Sequence, residues 1–293
     1  MPELPEVETM RLQLQKFLTG QKILSVEVKN RKTFQGDEAN IIGGKVTGTR
    51  RFGKVSVIDL DNGYSILTHV KLTGQYIYRG HNLKNLLKLS SKVIGGIPGP
   101  HTLVIFNLDR DGVLYYNDVR RFGWIRIEKT EDVEKEKFIV KLGPEPPVTK
   151  TFTGKNLTPD LFKQILSKSS RPIKIVLMDQ EKMGGVGNIY ANDALWLAEI
   201  NPKQKANSLE GKKVEDLYNA ILSVLKEGIK YGGASELAFV TPDGTEGEYQ
   251  KHTLVYGKEG EPCERPACRQ AGATIHKFFL GGRGTYFCPV CQV

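Results

Sequence analysis

The four cysteines of this chain, Cys263, Cys268, Cys288 and Cys291, fall together near its end as two short-spaced pairs joined by residues 269–287. Pairs of that kind can converge four thiolates tetrahedrally on one zinc ion, which gives a small tail the cross-link it needs in place of a core. Dispersed cysteines would suggest a disulfide framework, so the clustering favours a metal site, with a redox or free-thiol role as the alternative. The opposite end offers different chemistry. In Met1-Pro2-Glu3-Leu4-Pro5-Glu6-Val7-Glu8, loss of Met1 would leave Pro2 as a secondary amine with a pKa near about 8. Such an amine can attack a sugar carbon and form an iminium ion, an electron sink that eases loss of a base and elimination of phosphates. Glu3 or Glu6 can move the protons, although acids ahead of a helix also serve simply as caps.

Three further groupings suit a polyanion. Asp118-Val119-Arg120-Arg121-Phe122-Gly123 sets two guanidinium groups beside a ring. Arginines bind phosphate bidentately, and a ring can wedge into a base stack where a nucleotide has been extruded. The bland alternative is a strand end with Phe122 in the core and solvated arginines. Gly184-Gly185-Val186-Gly187-Asn188-Ile189-Tyr190 is a glycine turn entering a helix, whose free N–H groups suit a phosphate or simply make a tight turn. It is not a dinucleotide fingerprint, because no βαβ unit surrounds it. Between the cysteine pairs, Phe278-Phe279-Leu280 and Tyr286-Phe287 flank Gly281-Gly282-Arg283-Gly284-Thr285, a glycine turn presenting Arg283.

These groups need elements to hold them. Val7, Met10, Leu14 and Phe17 draw a helical stripe over residues 6–18. From about 22 to 130 the runs are short and β-rich: Lys54 to Leu60 and Tyr64 to Val70 flank Asp61-Asn62-Gly63, while Thr102 to Leu108 and Val113 to Tyr116 flank Asp109-Arg110-Asp111-Gly112. This predicts an antiparallel sandwich or barrel. Residues 80–100, with Lys84, Lys88 and Lys92 and a Gly/Pro-rich end, read as a mobile loop. Leu142 to Pro147 reads as a stiff linker, followed by helices after Thr158-Pro159, after Arg171-Pro172, over Asn188 to Ala198, and from about Val214 to Ile229. Lys plus Arg exceed Asp plus Glu by 42 to 33, a formal charge of +9, which puts nucleic acid first among partners. No apolar run reaches the roughly 18 residues of a membrane span, and the opening residues lack the pattern of a secretory signal, so the expected location is the cytoplasm or nucleoid.

Taken together, the motifs resemble the formamidopyrimidine-DNA glycosylase family, and more broadly the group that includes endonuclease VIII. The match covers nearly the whole chain: Pro2 to Glu8, Gly53-Lys54, His69-Val70-Lys71-Leu72-Thr73-Gly74, Tyr116 to Gly123, Leu142 to Pro146, Met178-Asp179-Gln180, Gly185 to Tyr190, Tyr256-Gly257, and Gly282 to Thr285 ahead of Cys288. The resemblance implies an α+β, multidomain fold. Its expected parts are an N-terminal antiparallel β-sandwich with flanking helices over 1–141, a helix-two-turns-helix domain with a lesion-capping loop over 142–250, and a β-hairpin zinc finger over 251–293. It implies base-excision repair of oxidised purines in duplex DNA by a monomer with one structural zinc. Pro2 is then the Schiff-base nucleophile, Glu3 the proton shuttle, Lys54 the proton donor in β-elimination and Arg283 the arginine of δ-elimination. His101, Arg121 and Asn188 match phosphate-holding positions, and Arg120 and Phe122 match residues that fill the gap in the stack. Lys174 and Glu6 are secondary candidates.

Some positions depart from the family pattern. The first cysteine pair is spaced by four residues rather than two, Leu72 stands where the purine-specific branch usually inserts methionine, and Asp193 stands where glutamate is expected. The loop at 80–100 is longer than usual, and the 233–250 region differs in detail. Two other readings stay open: an endonuclease VIII-like enzyme for oxidised pyrimidines, disfavoured by Leu4 and by the Arg120-Arg121-Phe122 wedge, and a catalytically silent DNA-binding zinc protein.

Overall fold

The computed structural model describes residues 1–83, 88–149 and 154–293; Lys84 lies outside the described residues. The chain forms two compact units, Met1–Val140 with Gly228–Gln250, and Lys141–Glu227 with Lys251–Val293. Breaks fall at 140/141 and 250/251, within a residue of those expected, but a further break at 227/228 places the 228–250 segment with the first unit and residues 251–293 with the second.

The first unit opens with helix α1 (Leu4–Leu18), whose stripe of Val7, Met10, Leu14 and Phe17 is buried as the spacing predicts. Among the described residues nine strands follow: β1 (Ile23–Val28), β2 (Phe34–Gln35), β3 (Val46–Phe52), β4 (Val55–Leu60), β5 (Tyr64–His69), β6 (Gly74–Arg79), β7 (Thr102–Leu108), β8 (Val113–Asp118) and β9 (Trp124–Lys129). They make a four-stranded sheet in the order β1-β7-β8-β6 and a five-stranded sheet in the order β2-β9-β5-β4-β3. Pairing is antiparallel except for the two-residue β2 against β9. Alternate residues turn inward, as in Val104-Phe106-Leu108 of β7 and Ile125-Ile127 of β9, and they join the α1 stripe in one apolar core shared by both sheets. The expected sandwich is therefore present, with both hairpins at the predicted turns. The short helix α2 (Lys137–Val140) ends this part of the unit.

Residues 88–100 form no regular element, but they are fastened rather than loose. Ser90 N–H donates to the Gly244 carbonyl at 2.9 Å, Lys92 Nζ to the Ser235 carbonyl at 2.5 Å, and Val93 packs with Ile77 and Val240. The sequence reading missed this because these partners lie far along the chain.

The second unit contains α3 (Pro159–Ser167), α4 (Ile173–Met178), α5 (Asn188–Leu197) and most of α6 (Lys212–Lys230). Thr158 caps α3 by accepting from Leu161 N–H at 3.2 Å. The expected linker at 142–147 is instead packed into this unit: Gly143 N–H donates to the Gln180 carbonyl, and Glu145, itself buried, exchanges backbone hydrogen bonds with Lys155 and Leu157. A stiff, proline-rich strip can lie along a surface as readily as it can bridge two. Beyond these helices come α7 (Pro266–Gln270) and the antiparallel hairpin of β10 (His276–Leu280) and β11 (Arg283–Phe287). Among the described residues no helix is long and apolar enough to cross a membrane.

Candidate active site

In the first unit, Pro2 is buried just ahead of α1, and Glu3 is the N-cap of that helix. Glu3 and Glu6 form a reciprocal capping box, with Glu6 Oε2 accepting from Glu3 N–H at 2.7 Å. The other oxygen of Glu6 accepts from Ala234 N–H at 2.7 Å. One carboxylate therefore fastens the N-terminus both to its helix and to the 234–246 segment. Gly233 precedes that contact at φ +83°, and a Cβ there would lie 2.8 Å from the Glu6 side chain, so glycine is required. The Pro2 nitrogen becomes an amine only when Met1 is absent.

One turn further along α1, Glu8 meets Arg11 at 2.7 Å and Arg51 at 2.9 Å, all three buried. Burial pushes the Glu8 carboxyl pKa up, but the two guanidinium groups outweigh it and hold the pKa below 4.5. Arg51 also donates to the Gly53 carbonyl at 2.9 Å, which fixes the β3–β4 turn carrying Lys54. Lys54 is itself buried. His69, at the end of β5, accepts from Lys71 N–H at 3.0 Å through Nδ1. Burial first, and then the charges of Lys71 and Lys54, pull its pKa from 6.5 to about 3, so the imidazole is neutral at ordinary pH. The sequence reading gave no role to Arg11, Arg51 or His69; nothing in their spacing marks a contact between α1 and the β3–β4 turn.

Leu72, Arg120, Arg121 and Phe122 lie on the β5–β6 turn and the β8–β9 loop, and Asp118 ties the two together. Its buried carboxylate accepts from the Thr73 hydroxyl, from Arg120 N–H at 3.2 Å and from Gly123 N–H at 2.8 Å. Thr73 Oγ1 also accepts from Arg120 N–H at 3.0 Å. A Cβ on Gly123 would lie 2.0 Å from the Tyr116 hydroxyl, so only glycine allows this closure. The loop leaves Phe122 57% exposed, with the Arg120 guanidinium 4.9 Å from its ring centre. Phe122 is thus outside the core, contrary to the bland alternative. Arg121 sits at φ 56°, and the His101 carbonyl accepts from Asp118 N–H at 2.9 Å.

In the second unit, Arg283 opens β11 and is exposed after Gly281 and Gly282, both at positive φ. Lys174, expected as a DNA contact, is buried, and its ammonium donates to the Gly284 carbonyl at 2.9 Å and to Thr285 Oγ1 at 2.7 Å. Asn188 is half-buried at the first position of α5, following buried Gly187. Asn192, one turn on, accepts from Tyr286 N–H at 2.8 Å and donates to the Asn188 carbonyl at 2.6 Å. Asp193 Oδ1 accepts from Val255 and Tyr256 N–H at 3.0 and 3.1 Å, so the shorter acid reaches its partners.

Sγ atoms of Cys263, Cys268, Cys288 and Cys291 lie within 4.8 Å of one another, a set that can hold a metal ion. The wider first pair is taken up by α7, which carries Cys268, while Ala273 closes the knuckle through backbone bonds to both Cys263 and Cys268. Trp196 Nε1–H donates to Cys263 Sγ at 3.4 Å, and buried Gln292 accepts from Cys288 N–H and donates to the Ile200 carbonyl. Arg265, inside the widened pair, donates to the Trp196 and Leu197 carbonyls at 2.9 Å each, at the C-terminal end of α5.

Comparison with known proteins bears on the family and the fold. Residues 1–125 match the formamidopyrimidine-DNA glycosylase N-terminal domain, and residues 142–239 match the H2TH domain of the same family. A formamidopyrimidine-DNA glycosylase from Lactococcus lactis subsp. cremoris is 35% identical, over 100% of this chain and 99% of its own. One from Pelotomaculum thermopropionicum is 38% identical over the same shares. A crystal structure of Lactococcus lactis Fpg with DNA containing an abasic site superposes with a TM-score of 0.83 at 34% identity, over 99% of each chain. The MutM (Fpg) protein from Thermus thermophilus gives 0.82 at 34% identity, over 99% of this chain and 98% of that one. With these matches spanning both units, the chain belongs to the formamidopyrimidine-DNA glycosylase family.

Proposed function

We propose that this protein excises oxidised purines, 8-oxoguanine and formamidopyrimidines, from double-stranded DNA and then cuts the abasic site, in the cytoplasm at the nucleoid and as a monomer. The observation that carries this reading is the Pro2-Glu3 pair, buried at the head of α1 and fixed by Glu6. Relatives solved with DNA carrying an abasic site or N7-benzyl-Fapy-dG support the choice of substrate.

In this reading the Pro2 amine, freed of Met1, bonds to the sugar C1′ as the bond to the damaged base breaks. Glu3 supplies a proton to the sugar ring oxygen, and the opened sugar carries an iminium. Loss of a proton from C2′ then expels the 3′ phosphate, with Lys54 as proton donor, and a second elimination assisted by Arg283 expels the 5′ phosphate. His101, Arg121 and Asn188 hold phosphates around the extruded nucleotide, while Arg120, Phe122 and Leu72 fill the space it leaves. The formal charge of +9 favours the duplex as a whole.

The metal is zinc. Tetrahedral zinc with Zn–S near about 2.3 Å places sulfurs about 3.8 Å apart, and Cys268 and Cys288 Sγ stand at 3.8 Å. All four ligands come from the protein, so zinc supplies a structural cross-link that holds the hairpin of Arg283.

The test is borohydride trapping on duplexes containing 8-oxoguanine or dihydrothymine, with mass analysis of the cross-linked peptide. A cross-link at Pro2 that forms faster on the purine duplex supports the proposal. Faster trapping on dihydrothymine moves the protein to the pyrimidine branch. Binding without a cross-link, in protein that has lost Met1, leaves a silent DNA-binding protein.

A further inference from the structure

The 234–246 segment begins at the Glu6 carboxylate that also holds Glu3, so it starts beside the reacting end of the chain. From there it runs along the outer edge of β6, where Tyr78 N–H donates to the Pro242 carbonyl at 2.7 Å. A second segment, 88–97, covers the first. Lys92 Nζ donates at 2.5 Å both to the Ser235 carbonyl and to Glu246 Oε2, bridging the two ends of 234–246. Ser90 Oγ donates to Glu246 Oε1 at 2.5 Å, and Ser90 N–H to the Gly244 carbonyl at 2.9 Å. The Gln75 amide on β6 reaches the Lys92 carbonyl at 2.9 Å and the Ala238 carbonyl at 2.5 Å, joining both segments to the sheet. Beneath them Val93, Val240 and Ile77 form an apolar cluster. The only large aliphatic side chain that 234–246 leaves bare among the described residues is Leu237, 65% exposed.

We propose that residues 88–97 determine specificity for the damaged base: through Lys92, Ser90 and Val93 they hold 234–246 in one shape, with Leu237 presented, before any substrate arrives. This rests on the glycosylase reading above and takes 234–246, which starts at the Glu6 carboxylate that holds Glu3, as the segment that meets the base. A base-contacting segment that is ordered only part of the time weakens apparent substrate affinity by the fraction ordered, so a tether of this kind acts on the base-dependent step. An abasic site has no base for the segment to meet, and its cleavage is indifferent to the tether. Lys92 is thus a positioning residue that acts through its grip on Ser235 and Glu246.

The experiment compares wild type, Lys92→Met, Lys92→Arg and Ser90→Ala as full-length zinc-loaded proteins. Amide hydrogen exchange over 234–246 is measured without DNA, and kcat and KM are measured on an 8-oxoguanine duplex and on a preformed abasic duplex. For Lys92→Met, loss of a half-exposed, charge-assisted contact should speed exchange over 234–246 by roughly three- to tenfold and raise KM on 8-oxoguanine by a smaller factor, that by which the ordered fraction falls. Ser90→Ala should show a smaller change of the same kind, Lys92→Arg should restore both readouts, and abasic cleavage should stay within about twofold of wild type. Unchanged exchange in both Lys92→Met and Ser90→Ala, or abasic cleavage falling in step with excision, would overturn the proposal. A wild type that cuts neither duplex would defeat the glycosylase reading and the specificity role with it, while the exchange data would still decide whether the tether exists.

Discussion

Glu8 and Arg51 face each other at 2.9 Å with side chains only 3% and 2% exposed, and the pair links the first helix to the turn that carries Lys54. A buried charge left wholly alone costs about 3–5 kcal/mol, but removal of Arg51 leaves Glu8 its Arg11 partner at 2.7 Å, so the loss is smaller. Arg51→Met is therefore expected to lower urea stability by about 1–3 kcal/mol and to slow cleavage of abasic DNA, since the Gly53 carbonyl loses the Arg51 donor. A variant with wild-type stability would show that the pair does not brace the turn.

Acid should destabilise the fold in two overlapping stages. His69 has a folded pKa of about 3 against 6.5 in the unfolded chain, so the unfolded state binds more protons between those values. Its contribution is whole above pH 6.5 and is lost as pH falls towards 3. Glu8, held below 4.5, contributes stability that is present above 4.5 and lost as pH falls through its lowered folded value. Urea midpoints measured from about pH 8 to 3 should decline from near 6.5 in the wild type. In a His69→Asn variant that still folds, the decline should begin lower.

Lys174 gives a sharp test because two roles predict different salt behaviour. Its ammonium holds Gly284 and Thr285, the residues after Arg283. Lys174→Met is expected to leave the product of the first elimination to accumulate, with the salt dependence of DNA binding unchanged. A direct phosphate contact would instead lower the log–log salt slope by about 1.

Phe122→Ala should slow excision from paired duplex DNA by roughly tenfold, in line with about 1–3 kcal/mol for a stacked ring, and should spare a preformed single-stranded abasic site. Equal losses on both substrates would count against a wedge.

Metal removal should be visible without any assay of activity. Trp196 donates to Cys263 Sγ and lies under the Arg265 guanidinium, 4.6 Å from its ring centre. Chelation should shift tryptophan emission and loosen amide protection across β10 and β11, and added zinc should reverse both. Emission that ignores chelation would mean that the cysteines hold no metal.

Much of this molecule was legible in its sequence where a period or a turn signature acts locally. The α1 stripe, the Asp61-Asn62-Gly63 turn and the paired cysteines each declare themselves within a few residues. The loop-bracing role of Asp118 was not legible, although its neighbours were, because it depends on Thr73 arriving from the β5–β6 turn, 45 residues earlier in the chain. The environment of Lys174, a secondary candidate of the resemblance, was not legible for a related reason: the Gly284 carbonyl and Thr285 hydroxyl to which its ammonium donates lie some 110 residues further along the chain. The 88–97 segment looked like a loose loop because its partners lie some 150 residues away in sequence.

All four cysteines of the chain belong to one cluster. In zinc-loaded protein each thiol is engaged, so a cysteine introduced elsewhere would be the single site open to maleimide chemistry. Leu237→Cys, at an exposed position on the 234–246 segment, would carry a fluorophore there without first stripping the native thiols. The chain is in that sense already prepared for single-molecule observation of how it searches a duplex.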